Sequence, residues 1–326
     1  MIKRFQSIFS LIRFPNLLII AFTQYAMRYL LMEPLLPSDT FELQFGDFQF
    51  ALLVSSTMLI AAAGYIINDY FDTRADLINK PARVVVGVSI SRKVAMILHM
   101  VLNVIGVGIG VYLAFYVGLP SLSLVFVIAT GLLWFYSTNY KKQFLIGNLA
   151  VSFLTALVPL MVVLFEIPLL NREYGELMIR HEADFNYLFA WVSAFSFFAF
   201  FTTLIREIIK DAEDFEGDMA YGMKTLPIIL GNFWTRFVLV TLITITLASL
   251  VFLLFKFIFF SVAPVDYISL VYFILFLLLP MIALAIQVIT ASGKRGFHRA
   301  SILIKLVMIS GILYSAVVFY LLGFKY

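Results

Sequence analysis

Two acidic stretches of the sequence contain the residues whose types and spacing could do chemistry. The first aspartate motif, residues 65–83, has the sequence YIINDYFDTRADLINKPAR, and the second aspartate motif, residues 206–227, has the sequence REIIKDAEDFEGDMAYGMKTLP. Steps of three and then four residues separate the aspartates, which are Asp69, Asp72 and Asp76 in the first motif and Asp211, Asp214 and Asp218 in the second. On a helix, these steps keep three side chains within about 60° of one another. Each motif therefore predicts a row of carboxylates on one helix face.

The chemistry that these rows predict is the binding of Mg²⁺ together with a diphosphate. Carboxylates this close repel one another unless a cation lies between them, and hard oxygen ligands suit Mg²⁺. Mg²⁺ commonly shares its remaining coordination positions with phosphate oxygens. Asn68 adds a neutral oxygen ligand to the first motif. Basic residues that could bind phosphate directly accompany the motifs, and they are Lys80, Arg83, Lys141, Lys142, Arg206, Lys210 and Lys224.

The elements that must position these residues are membrane-spanning helices. The chain has 326 residues, of which 63% are hydrophobic and 13% are charged, and no soluble core could bury that much apolar surface. The sequence contains no cysteine, which excludes disulfides, a thiol nucleophile and cysteine-bound metals. The net charge of +4 reflects membrane topology rather than nucleic-acid binding, so we expect no nucleic-acid partner.

Nine apolar runs predict nine membrane helices in one membrane-embedded domain that covers residues 1–326. Most of the runs approach the roughly 20 residues that a bilayer core requires. The runs are 14–36, 48–67, 94–117, 120–137, 147–165, 187–205, 233–256, 267–290 and 301–322. We expect the first run to be a retained helix rather than a cleaved signal peptide. Lysine and arginine are concentrated in the connections of one side, which predicts a cytoplasmic N-terminus and places both motifs on the cytoplasmic face.

One predicted outer connection, residues 166–186, contains a further group of acidic residues and a histidine. The group consists of Glu166, Glu173, Glu176, His181, Glu182 and Asp184. Such a group could indicate a metal site, but runs of charge are more often a solvated loop or one face of a short amphipathic helix. We therefore predict a solvated outer segment here.

Taken together, the motifs resemble those of the UbiA-type intramembrane prenyltransferases. The first signature of that family is similar to Asn68-Asp69, Asp72, Asp76, Asn79-Lys80-Pro81 and Arg83, and the second is similar to Arg206-Glu207, Asp211, Asp214, Gly217-Asp218 and Lys224-Thr225. The connection between the family's fourth and fifth helices resembles Tyr136-Ser137, Lys141-Lys142 and Gly147-Asn148. The nine predicted helices agree, so the resemblance covers nearly the whole chain. Val84 departs from the pattern, because many members have a second proline there.

The resemblance implies an all-α, polytopic membrane bundle of nine transmembrane helices around a central cavity, with two Mg²⁺ ions. It implies that Asn68 and Asp72 hold one ion and that Asp211 and Asp218 hold the other. It implies that three further aspartates complete or orient the metal shells, and these are Asp69, Asp76 and Asp214. The catalytic residues that it implies are Asp72, Asp211, Asp218 and Lys141. It implies diphosphate binding by Lys141 and Arg83 first, and then by Lys80, Lys142, Arg206, Lys210 and Lys224. Asn16 either lines the cavity or begins the first helix.

The implied function is Mg²⁺-dependent transfer of a polyprenyl group from an allylic diphosphate, such as geranylgeranyl diphosphate, to a lipid or aromatic acceptor. The run REIIKDAEDFEGD resembles the family branch that uses geranylgeranylglyceryl phosphate, which we favour over 4-hydroxybenzoate or dihydroxynaphthoate, the acceptors of quinone-pathway members. The alternative from a different functional class is a non-catalytic protein that binds or transports isoprenoids. Transporters place charges near the middle of the membrane, whereas the acidic residues here cluster at helix ends, which favours the enzyme.

Overall fold

The computed structural model describes residues 2–37, 40–79, 84–180, 184–256 and 266–323, except for the side chains of 2–6, 74–79, 180 and 323. Nearly all of the described residues are helical, and no β-strand occurs among them. The predicted all-α class is confirmed. Some of the residues singled out by the sequence lie outside the described residues. They are the side chains of Asp76 and Asn79 and the whole of Lys80, Pro81, Arg83, His181 and Glu182.

The helices follow one another along the whole described chain. In order they are α1 (Ile2–Leu11), α2 (Phe14–Tyr25), α3 (Glu33–Leu35), α4 (Asp47–Asn79), α5 (Arg92–Tyr116), α6 (Ser123–Thr138), α7 (Ile146–Arg180), α8 (Asn186–Glu213), α9 (Phe215–Ala220), α10 (Leu226–Leu254), α11 (Tyr267–Tyr272), α12 (Leu279–Thr290) and α13 (Gly293–Gly323). Within the described ranges, eight stretches are long and apolar enough to cross a membrane, and these comprise α4, α5, α6 with the turn before it, α7, α8, α10, the stretch from α11 to α12, and α13. The protein is therefore an integral membrane protein.

The first predicted span, residues 14–36, is helical but is not one of these eight stretches. In it, α2 passes into a π-helix, Ala26–Met32, which is followed by α3. The stretch contains Gln24 and Arg28, both of which are buried, so its hydropathy is lower than that of the other spans. The predicted count of nine is thus not confirmed, and the cytoplasmic N-terminus also stays a prediction.

The predicted start of the solvated segment at residue 166 is wrong, whereas Glu173 and Glu176 further along are exposed as expected. α7 continues without interruption to Arg180, and Glu166 is fully buried within it. Hydropathy along the chain placed the end of the span at residue 165 because Glu166 is charged. The structure balances that charge with Arg28, which lies far away in the sequence.

The chain forms two compact units. The first unit consists of Met1–Arg28, Leu36–Lys141 and Leu157–Val192, and the second consists of Tyr29–Leu35, Lys142–Ala156 and Ser193–Tyr326. In the first unit, α4 packs against α2, α5 and α6, and in the second, α12 packs against α10 and α13. That residues 1–326 act as one domain stays a prediction.

In each aspartate motif, the acidic residues follow a pair of buried isoleucines. Ile66 and Ile67 are fully buried directly before the first motif's Asn68, and Ile208 and Ile209 are fully buried just before Asp211. Between membrane helices, close van der Waals packing of such side chains is a main stabilising contribution. The packing of these isoleucines therefore fixes the helix ends that carry the acidic residues.

Candidate functional site

The first aspartate motif extends α4, so its backbone is helical through Asn79, as the spacing predicts. Asp72 accepts a hydrogen bond from the ammonium group of Lys141, which lies in a 3₁₀ turn after α6. The Lys141 and Asp72 side chains are only 10% and 22% exposed. The structure therefore brings together a carboxylate suited to Mg²⁺ and a cation suited to phosphate, which the sequence indicated separately.

Asp69 is the centre of a second set of polar contacts in the first unit. Arg13 donates to its carboxylate at 3.0 Å, and Asn68 also hydrogen-bonds to it. The Arg13 guanidinium lies 5.0 Å from the centre of the Tyr65 ring, whose hydroxyl accepts from the Asn16 amide at 3.4 Å. Asn16 therefore belongs to this group through Tyr65. Arg13 was not among the predicted site residues, because its partner Asp69 is distant in the sequence.

Arg13 reaches Asp69 from a break in the chain rather than from within a helix. It separates α1 from α2 and has a left-handed backbone, with φ 50° and ψ 52°. This conformation is strained for residues that have a side chain. The surrounding contacts must therefore maintain it, and the ion pair with Asp69 is one of them.

The second aspartate motif is divided between two helices. Asp211 lies in α8 and Asp218 in α9, while Asp214 lies between them with a non-helical backbone. The prediction that all three share one helix is therefore wrong, and the break occurs at a residue type that commonly precedes a helix. Hydrogen bonds from the Asp214 N–H to the Lys210 carbonyl and from the Asp218 N–H to the Asp214 carbonyl continue across the break, at 2.9 and 3.0 Å.

Asp211 lies among other acidic groups in the second unit. The Asn148 amide donates to its carboxylate at 2.8 Å, and its charged neighbours are Glu207, Asp214 and Asp218. No cation is among its electrostatic partners in the described part of the chain. The three predicted aspartates are thus close together, whereas Asn148 and Glu207 were noted in the sequence only as parts of the family resemblance.

The other predicted phosphate-binding residues of the second unit form two groups. The backbone N–H of Lys224 donates to the Lys142 carbonyl at 2.9 Å, which places these two lysines side by side. Arg206 forms an ion pair with the adjacent Glu207, and both Arg206 and Lys210 lie near Lys305 of α13. The sequence analysis did not name Lys305 as a site residue.

The chemistry of these donors fits Mg²⁺, although the side chains do not form a ready coordination shell. Among the described residues, no group of three or more acidic or histidine side chains is arranged to hold a metal ion. In the first unit, Asp72 and Asp69 contact Lys141 and Arg13 instead. Around Asp211, hard oxygen donors gather with a neutral amide, and no cation is among the electrostatic partners of Asp211 in the described part of the chain. A divalent cation would stabilise such an arrangement.

Comparison with known proteins identifies the family. The sequence profile of the UbiA prenyltransferase family matches residues 36–321. The chain belongs to the UbiA prenyltransferase family. It is 31% identical over 262 residues to a protein named digeranylgeranylglyceryl phosphate synthase from Saccharolobus solfataricus, a match that covers 78% of this chain and 79% of that protein.

A second relative of the same name comes from Methanothermobacter thermautotrophicus, and it is 35% identical over 206 residues. That match covers 61% of this chain and 64% of the relative. This chain therefore spans slightly less than two thirds of that relative's length. The family resemblance predicted from the two aspartate motifs is confirmed.

Solved structures show the same fold. A structure of a digeranylgeranylglyceryl phosphate synthase superposes with a TM-score of 0.65 at 20% identity and covers 96% of this chain and 99% of its own. A UbiA homologue from Archaeoglobus fulgidus, bound to GPP and Mg²⁺, superposes with a TM-score of 0.54 at 14% identity. That match covers 95% of this chain and 99% of the homologue. At these identities, the likeness establishes that this UbiA family member has the family's helical fold.

Proposed function

We propose that this UbiA family member is a membrane prenyltransferase that transfers an isoprenyl group from an allylic diphosphate to geranylgeranylglyceryl phosphate. The observation that carries the proposal is the group of carboxylates at Asp211. Among the described residues, the only hydrogen-bond donor to Asp211 itself is the neutral Asn148. A site of this kind needs a cation and is suited to binding metal and diphosphate together. The names of the two relatives support the choice of a phosphorylated lipid as acceptor.

The two motifs would hold the metal with their oxygen donors. Asn68, Asp69, Asp72 and Asp76 would hold one Mg²⁺, and Asp211, Asp214 and Asp218 would hold a second. When bound, Mg²⁺ stabilises the negative charge that develops on the leaving diphosphate. The Archaeoglobus fulgidus homologue, which binds GPP and Mg²⁺, supports this assignment.

Lys141 acts on the leaving group from the protein side. An ammonium group has three donors, one of which hydrogen-bonds to Asp72, so the others can reach diphosphate oxygens. Because only 10% of the side chain is exposed, water weakly screens its attraction for negative charge. Lys141 therefore stabilises the diphosphate as its bond to carbon breaks, and the remaining basic residues, which are Lys80, Arg83, Lys142, Arg206, Lys210 and Lys224, are candidates for further contacts.

The transfer step requires protection from water. The bond between the allylic C1 and the diphosphate oxygen breaks, and its electron pair leaves with the diphosphate. The acceptor hydroxyl oxygen then bonds to C1 and releases its proton. Water would intercept an allylic cation, and the buried isoleucine pairs Ile66–Ile67 and Ile208–Ile209 give both motifs an apolar boundary. The excess of lysine and arginine on one side supports a site that faces the cytoplasm.

The test is product formation by the purified full chain in nanodiscs. The protein is incubated with Mg²⁺, radiolabelled geranylgeranyl diphosphate and one of three acceptors: geranylgeranylglyceryl phosphate, 4-hydroxybenzoate or dihydroxynaphthoate. We expect a Mg²⁺-dependent lipid product with the first acceptor, and we expect Asp72→Ala and Asp211→Ala to abolish it. If product formed only with an aromatic acceptor, the proposed choice of geranylgeranylglyceryl phosphate would be contradicted. If the protein bound the donor but turned it over with none of the acceptors, the proposed enzymatic function would be contradicted.

A further inference from the structure

The last turns of α8 have two faces of opposite character. Steps of four and then three residues separate three acidic residues, which are Glu207, Asp211 and Asp214. A second set has the same spacing but begins one position earlier in the chain, and it consists of Arg206, Lys210 and Glu213. A shift of one residue rotates a side chain by roughly 100° around a helix. The basic pair Arg206 and Lys210 therefore lies on a different face of α8 from Asp211.

Lys305 of α13 joins this basic face. Its electrostatic partners are Arg206, Lys210 and Glu213, and it is exposed about three turns into α13. A charged side chain within a membrane-spanning segment is costly and is commonly functional. Lys305 is thus close to two further cations and to Glu213, and one of those cations, Arg206, is also paired with Glu207.

A pocket of about 420 Å³ continues this cationic region, and its lining consists of Glu213, Lys294, Arg295, His298 and Arg299. A ring nitrogen of His298 donates to the Glu213 carboxylate at 2.8 Å, so the one acid of the lining already has a partner. Within the described ranges, no carboxylate pairs with Lys294, Arg295 or Arg299. The pocket therefore has a clear excess of positive charge.

We propose that this pocket, together with Lys305, binds the phosphate headgroup of a lipid at a place distinct from the aspartates of the two motifs. Arginine and lysine side chains are the usual partners of phosphate oxygens, and the positive end of the α13 dipole lies at the same residues. The pocket is formed by the first turns of a membrane-spanning helix, where lipid headgroups are found. Basic pockets between transmembrane helices bind phosphorylated lipids in this way.

A lipid phosphate could come from two sources. One is the acceptor, in which case the inference rests on the proposed function and the pocket is the part of the enzyme that selects a phosphorylated acceptor. The other is a phospholipid of the bilayer. The chemistry of recognition is the same, so the experiment separates the sources.

The first arm measures binding without turnover. The full chain in detergent is titrated with phosphatidic acid, with diacylglycerol as the uncharged lipid and with inorganic phosphate, by native mass spectrometry. We expect phosphatidic acid to bind more tightly than diacylglycerol. We expect its affinity to fall roughly tenfold in each of the variants Arg295→Gln, Arg299→Gln and Lys305→Gln, because each variant loses one charge-assisted hydrogen bond. Arg299→Lys should retain most of the affinity, and Lys93→Gln, which removes an exposed lysine of α5, is the matched control.

The second arm identifies the source by kinetics in nanodiscs. A rise in KM for geranylgeranylglyceryl phosphate in the pocket variants, with the KM for the donor unchanged, assigns the pocket to the acceptor. A loss of stimulation by anionic phospholipid, with both KM values unchanged, assigns it to the bilayer. If phosphatidic acid binds the variants as tightly as it binds wild type, or no better than diacylglycerol, the inference is overturned. Selective binding by a wild type that shows no turnover would contradict the proposed function and leave the pocket supported.

Discussion

Two acidic side chains of this protein, one in each unit, have opposite surroundings. Glu166 of the first unit is fully buried and accepts hydrogen bonds from the Arg28 guanidinium at 2.8 Å and from the backbone N–H of Phe45 at 3.0 Å. Arg28, which is 3% exposed, also donates to Asp47 at 3.4 Å. The charge of Glu166 is therefore matched by a cation and by the backbone.

Among the described residues, Asp211 of the second unit has no such cationic partner. Its donor is the neutral amide of Asn148, and its charged neighbours are Glu207, Asp214 and Asp218. Paired buried charges hold a structure in place, although they add little net stability over apolar residues. Clustered like charges oppose folding and are commonly retained at sites that bind a cation or a substrate. The comparison predicts that changes at Asp211 affect activity and that changes at Glu166 affect stability.

The largest effect is expected from Asp211→Asn. This change removes a proposed metal ligand and one of several repelling charges, so turnover should fall roughly 100-fold or more while the melting temperature without Mg²⁺ stays the same or rises. Product formation and thermal unfolding of the same sample measure the two quantities. Glu216→Gln, at an exposed position of α9, is the control and should change neither, and a marked fall in the melting temperature of Asp211→Asn would contradict the comparison.

A large effect on stability is expected from breaking the buried pair. Glu166→Leu or Arg28→Leu leaves one buried charge without its partner, which destabilises proteins by about 3–5 kcal/mol. The double variant should be more stable than either single variant, because no charge remains buried alone. Thermal unfolding of all four proteins in one detergent measures the coupling between the two residues, and additive losses would show that the pair does not act as described.

A smaller effect is expected from Asn148→Leu, which removes the donor that orients Asp211. Loss of a residue that holds a metal ligand typically weakens metal binding about 10–100-fold, so the Mg²⁺ concentration for half-maximal activity should rise by that factor. The maximal rate at saturating Mg²⁺ should change less. Asn232→Leu, at an exposed position of α10, is the matched control, and an unchanged Mg²⁺ requirement in Asn148→Leu would argue against the role of the amide.

The smallest effect is expected from Arg13→Gln. The Arg13 side chain is 44% exposed in its ion pair with Asp69, and exposed pairs typically contribute about 0.2–1 kcal/mol. The free energy of unfolding should therefore fall far less than in Arg28→Leu, which removes a buried partner. A loss as large as that of Arg28→Leu would show that burial does not separate the two pairs.

Local pattern predicted most of the fold, and its error at Glu166 has a clear physical cause. Runs of apolar residues predicted eight confirmed spans, because helix formation in a membrane depends on hydropathy over about 20 residues. The same rule ended a span before Glu166, where α7 in fact continues to Arg180. A hydropathy scale treats Glu166 as an unpaired charge in the membrane. In the structure, Arg28, which is distant in the sequence, neutralises the charge of Glu166. A rule based on neighbouring residues cannot include such a partner.

The sequence by itself determined the membrane class, the family and the two aspartate motifs, because composition and short-range spacing carry that information. Only the tertiary structure decided which groups surround each aspartate. Lys141 contacts Asp72 through the turn that follows α6, and Asn148 contacts Asp211 from a different helix. The break at Asp214 and the approach of Lys305 to α8 were likewise absent from the pattern. These contacts depend on helix packing between distant segments, and the charge balance of a site is the sum of such contacts.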